Sequence, residues 1–238
     1  MNSPDYVTVR RRDRVFYIVM AVAAAVVVFA GFARTYYLRN LFGNPPLRLL
    51  LHVHGLLFTS WLALFFIQVT LVAAKRTDIH RRLGVAGAVL AALMTVIIPI
   101  TAIQASKPGF RPGPPAALTS LSVPLINILV FAILVTAGFH YRRKSETHKR
   151  LMLLATISVL PAAIARLPFA FISANGALAF FGPTDLILVP CIVYDAVVHR
   201  RVHPAYIWGG LLLIASQPLC VKLGHTAAWL TFAQWLTR

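Results

Sequence analysis

The chain has 238 residues, 59% of them hydrophobic and only 12% charged, with a mean hydropathy of +0.77 and a net charge of +17. Such apolar usage excludes an ordinary water-soluble domain. The placement of the charge argues against a nucleic-acid partner. Fifteen of the 23 Lys and Arg fall in four short segments, Arg10–Arg14, Lys75–Arg82, Arg142–Arg150 and Arg200–Arg201, at alternate ends of long apolar runs.

A helix needs about 20 apolar residues to cross an ~30 Å hydrocarbon core, and at that depth the backbone must satisfy its own hydrogen bonds. The apolar runs lack strand-like alternation, which selects helices over a barrel. The first predicted span covers 15–33, longer than the roughly 7–15 apolar residues of a cleaved signal, so it reads as an uncleaved crossing. A loop broken by Asn44-Pro45-Pro46 leads to span 2 at 49–74 and the first basic turn. Span 3 at 83–104 runs into the Pro- and Gly-rich stretch 107–115, and span 4 at 118–140 returns to the second basic turn. Span 5 at 151–172 contains Pro161, Arg166 and Pro168; spans 6 and 7 follow at 183–199 and 204–222. Ala227–Leu236 reads as an amphipathic helix near the outer face. The expected fold is a single all-α integral membrane domain over 1–238. It is a polytopic helix bundle of about seven transmembrane helices, with the amino terminus in and the carboxyl terminus out.

The two basic turns are copies. Lys75-Arg76-Thr77-Asp78-Ile79-His80-Arg81-Arg82-Leu83 returns 68 residues later as Arg143-Lys144-Ser145-Glu146-Thr147-His148-Lys149-Arg150-Leu151. Only Ile79 and Thr147 differ in chemical type, so spans 2–5 read as a repeated helix hairpin. Thr77 and Ser145 are expected N-caps, with Asp78 and Glu146 at the positive helix ends. Attraction of the basic residues to an anionic leaflet explains the turns as a membrane staple, yet leaves His80 and His148 at equivalent places without a stated job.

The segment His80-Arg81-Arg82-Leu83-Gly84, after a helix carrying His54, Trp61 and Gln68, resembles uncharacterised bacterial inner-membrane families. With His148-Lys149-Arg150-Leu151-Met152 it is similar to the four-helix core of cytochrome-oxidase-assembly-like domains of unknown function, over about residues 48–172. The resemblance implies a multi-pass bundle in a bacterial plasma membrane and carries no catalytic assignment.

Several constellations bear chemistry. His54, Trp61, Gln68 and Lys75 recur every seven residues and form one stripe down span 2. Polar groups there either hydrogen-bond between helices or face a cofactor or proton path. Asp195, about 12 residues into span 6, needs a partner, for which His80, His148 and His199 are candidates. His199 and His203 are spaced for two imidazoles on one metal, with Asp195 one turn earlier. Arg166 and Asp185 are expected to compensate each other at the outer ends of spans 5 and 6. Cys191 and Cys220 lack any Cys-x-x-Cys spacing and read as packing residues.

The candidate cofactor-binding residues are therefore His54, His80, His148 and Asp195, and the candidate metal ligands His199 and His203. The best-supported function is a histidine-dependent redox membrane protein that binds b-type haem or handles quinone. Two alternatives stay open. One is a non-catalytic assembly factor or accessory subunit of a respiratory or biosynthetic membrane complex, and the other is a small-solute or proton-coupled transporter.

Overall fold

The computed structural model describes residues 4–110, 117–174 and 176–238, and every regular element among them is helical. Helix α1 (Pro4–Phe32) continues into a π turn at Ala33–Tyr37 and a 3₁₀ turn at Arg39–Phe42. Then come α2 (Leu49–Ala73), α3 (Thr77–Ala105), and α4 (Ser122–His140), which is led in by a 3₁₀ turn at Leu118–Leu121. Next are α5 (Ser145–Ser158), α6 (Pro161–Ile164), α7 (Ala170–Ala174), α8 (Gly176–Leu186) and α9 (Leu188–Val198). Helices α10 (Pro204–Gly224) and α11 (Ala227–Thr237) complete the chain. The described residues contain six stretches long and apolar enough to cross a membrane: Thr8–Tyr37, Leu49–Ala73, Thr77–Ala105, Leu118–His140, Ala179–Val198 and Pro204–Gly224.

The surface has the character of a membrane protein. Val15, Leu56, Val85, Leu186, Val197 and Leu211 are each more than half exposed, and they are spread over all the long helices but α4. So wide an apolar surface calls for lipid rather than water.

The 151–172 segment, expected to be the fifth span with prolines inside it, is the axis of the bundle and is broken at Pro161. From Arg150 to Ile164 every side chain but Met152 and Ala162 is buried, against α1, α4 and α10. Pro161 has no N–H to continue α5, so that helix ends at Ser158 and Pro161 opens α6. Surrounding protein shelters the interrupted hydrogen-bond ladder, which lipid would not tolerate. Gly31 makes the fit possible on one side: a Cβ there would collide with the Ala163 carbonyl, so α1 and α6 touch backbone to backbone.

The two basic turns differ in detail. In the first, Lys75 takes a left-handed φ of 61°, and the turn closes in three residues. The second uses the four residues Tyr141–Lys144 and needs no positive φ. Thr77 and Ser145 are the first helical residues rather than side-chain caps. The cap positions fall on Arg76 and Lys144, which make no capping side-chain bond.

Candidate functional site

All four basic segments converge on one end of the bundle. His80 and His148 are each the fourth residue of their helix, and their rings meet edge to face with centroids 6.2 Å apart. The Nδ1 of His148 lies 2.7 Å from the Gly138 carbonyl oxygen. A carbonyl only accepts, so Nδ1 carries the proton and Nε2 is left with its lone pair. Burial lowers the His148 pKa against the opposing effect of that hydrogen bond, which favours the neutral ring that metals bind. On the other side, Gln68 Nε2 donates to the His80 main-chain carbonyl at 3.2 Å. The His80 Nδ1 and Gln68 Oε1 atoms are both buried without a hydrogen-bond partner among the described residues. Unpaired buried polar atoms are uncommon and call for an explanation.

The span-2 stripe does face the interior. Trp61 is 2% exposed and its Nε1 donates to Thr156 Oγ1 at 3.3 Å, while His54 and Gln68 are half-buried above and below it. Lys75 ends the stripe on the exposed turn.

Asp195 finds a partner that sequence reasoning did not name. Arg150, 1% exposed, donates through Nε at 2.9 and 3.1 Å and through Nη2 at 2.5 Å to the two Asp195 oxygens. The His203 backbone N–H adds a bond to Oδ2 at 3.0 Å. Arg150 Nη1 turns the other way, to the Glu146 carbonyl and carboxylate at 2.8 and 2.7 Å, and its guanidinium lies over the Tyr206 ring. Burial would raise the Glu146 pKa, but hydrogen bonds from Arg150 and Lys149 outweigh it and hold the carboxyl at about 2. Such a bidentate, desolvated pair makes Asp195 a structural counter-charge.

His199 and His203 go to separate partners. Helix α9 ends at Val198 and Arg200 takes a left-handed φ of 58°, which breaks the helical spacing that would align the two imidazoles. His199 Nε2 is 2.9 Å from Asp13 Oδ1, and His203 Nδ1 accepts from the Ala205 N–H to cap α10. The ligand atoms of Asp13, Glu146 and His199 do lie within 4.8 Å of one another. However, the Lys149 ammonium binds both carboxylates, at 2.7 and 2.8 Å, and already supplies the positive charge a metal would bring. Tyr194 OH also donates to Asp13, at 2.8 Å. The group is an ion-pair staple that fastens α1 to α5 and α9.

At the far end, the His54 ring packs on Phe58 at 4.8 Å and its Nδ1 is buried without a partner among the described residues. The Arg166 guanidinium covers the Phe32 ring at 4.7 Å and donates to the Ala162 carbonyl. Asp185, expected to compensate Arg166, accepts a 2.6 Å bond from Gln217. Cys191 and Cys220 are buried free thiols, as their spacing indicated.

The structure thus brings His80 and His148 together, leaves His54 in a separate layer, and assigns Asp195 to Arg150. Compared with protein-family models, curated proteins and solved structures, the chain gives no match.

Proposed function

We propose that the protein is a multi-pass redox protein of a bacterial inner membrane in which His80 and His148 together ligate one metal ion, with b-type haem iron as its redox form. The uncommitted ring nitrogens of the pair carry this reading: Nε2 of His148 keeps its lone pair, the buried Nδ1 of His80 has no hydrogen-bond partner among the described residues, and the ring centroids stand 6.2 Å apart. An ion held there would take one nitrogen from each histidine, and haem iron would supply one-electron chemistry. The Gly138 hydrogen bond orients His148 as an outer-shell carbonyl does for a ligating histidine.

In this reading the two copies of the hairpin each contribute one ligand, and the broken α5–α7 segment counts as a seventh crossing. The amino terminus and basic turns face the cytoplasm and the carboxyl terminus lies outside. His54, with an uncommitted ring nitrogen beside an apolar ring, suits the carbonyl head group of a quinone at the opposite surface. The resemblance to oxidase-assembly-like domains agrees with a place near respiratory chemistry.

Absorption spectroscopy and metal analysis of the purified protein, with and without haem supplementation, provide the test. A Soret band or one equivalent of metal per chain, lost in both His80→Ala and His148→Ala and kept in His140→Ala, is the expected result. A Soret band identifies haem, and metal without one identifies a bare ion. A protein that takes up neither removes the redox reading, and its co-purification with a larger membrane complex would then favour an accessory role.

A further inference from the structure

A second site lies on the outside of the bundle at its basic end, in a groove between α1 and α9 with a volume of about 480 Å³. Its wall is apolar, made of Val15, Phe16, Val19 and Tyr194, and Arg11 and Arg12 close one end. The spacing on α1 explains the polarity. Arg11, Val15 and Val19 follow at i, i+4 and i+8, and Arg12 and Phe16 form the adjoining row, so one helix face changes from guanidinium to hydrocarbon within two turns. Val15 and Val19 are 57% and 56% exposed, so no described residue covers them.

The floor of the groove is rigid. Tyr194 stacks on Phe16 with centroids 4.0 Å apart and planes 8° from parallel, and its hydroxyl is anchored on Asp13. Asp13 is also the acid nearest in sequence to the two arginines, yet its oxygens are taken up by Lys149, His199 and Tyr194. Among the described residues neither Arg11 nor Arg12 pairs with a carboxylate. Two exposed guanidinium groups at the mouth of a hydrocarbon slot match a phosphate attached to an acyl chain.

We propose that this groove holds one anionic phospholipid of the adjoining leaflet, its phosphate on Arg11 and Arg12 and one acyl chain along Val15, Phe16 and Val19 against Tyr194. The long apolar stems of the arginines can lie on the helix while their heads reach the phosphate level. Because Tyr194 is shared between the groove and the Asp13 staple, a bound lipid also braces the junction of α1 and α9. The site is independent of the histidine pair and of any metal.

The test uses the full chain, purified and washed into a zwitterionic detergent micelle, with phosphatidylglycerol or phosphatidylcholine added back. Native mass spectrometry counts bound lipid, and thermal unfolding reads its effect. The wild type is expected to retain one phosphatidylglycerol per chain and to be stabilised by it, with phosphatidylcholine doing neither. Arg11→Gln/Arg12→Gln should weaken phosphatidylglycerol binding roughly 30-fold, the value for two basic residues acting at a membrane surface. Val19→Trp, which fills the slot and leaves the charge unchanged, should weaken it as well, whereas Arg142→Gln/Arg143→Gln at the second basic turn should leave it intact. Equal retention of phosphatidylcholine, or unchanged binding by the Arg11/Arg12 variant, would reduce the groove to ordinary annular lipid contact and overturn the proposal.

Discussion

The buried Arg150–Asp195 pair should be costly to break from one side and cheap to replace from both. Asp195→Ala removes three of the five hydrogen bonds of Arg150 and leaves Nε and Nη2 without acceptors beside a side chain that is 2% exposed. It also strips the His203 N–H of its acceptor at the start of α10. Leaving one charge of a desolvated pair uncompensated costs about 3–5 kcal/mol. The Arg150→Met/Asp195→Leu double variant avoids that penalty, because Glu146, half exposed, can turn to solvent. An apolar pair of similar volume is often neutral or better. Reversible unfolding in mixed micelles, followed by tryptophan fluorescence, measures both. The expected outcome is a loss of about 3–5 kcal/mol for the single variant and of no more than about 1–2 kcal/mol for the double variant, which still lacks the acceptor of the His203 N–H. If Asp195→Ala unfolds like wild type, or the double variant loses as much as the single, the pair is not the desolvated contact described above.

Four other substitutions test contacts elsewhere in the bundle. Glu146, whose pKa is lowered from 4.5 to about 2, contributes stability that is complete above pH 4.5 and is lost as pH falls towards 2. An acid titration of unfolding should show that decline in the wild type and a shallower one in Glu146→Gln. Gly31→Ala should destabilise by about 1–3 kcal/mol because its methyl group meets the Ala163 backbone. Gly84→Ala, with nothing within 4 Å, should be neutral or gain about 0.5–1 kcal/mol from helix propensity in the same assay. Trp61→Phe keeps the edge-to-face contact with Phe131 but loses the bond to Thr156 and leaves part of the indole volume empty in a core position, so its cost should be about 1–3 kcal/mol, read by the same unfolding curve.

Length and apolarity made the long helices legible. The predicted runs at 49–74, 118–140 and 204–222 lie within a few residues of α2, of the Leu118–His140 stretch and of α10. Charged ends were less so. Helix α1 starts at Pro4, 11 residues ahead of the apolar run, because arginine is a good helix former and hydropathy does not register it. The 151–172 segment was legible in part: its apolarity and its prolines mark a broken span, whereas its enclosure by α1, α4 and α10 depends on packing that no local pattern carries.

The histidine pair was half legible, since the duplicated turn placed His80 and His148 equivalently, while their contact required the two hairpins to pack. The duplication hid the partner of Asp195. Arg82 and Arg150 stand at the same place in the two copies, yet Arg82 is exposed and Arg150 is sealed in the core. A pair 45 residues apart leaves no local pattern. The one local hint is a basic residue directly ahead of the charge-free run 151–165, with Glu146 one turn before it.

The sealed position of Arg150 also bears on how the protein is made. Its buried counter-charge, Asp195, lies 45 residues downstream, so the arginine is synthesised well ahead of that partner. Until then Glu146, itself exposed, is the carboxylate that faces the guanidinium and favours the water interface, and the arrival of α9 completes the pairing that seals Arg150 in the core. Chains interrupted between residues 150 and 195 should therefore be recognisable to quality-control proteases by a misplaced guanidinium, and the carboxyl-terminal third becomes a checkpoint for completion of the whole bundle.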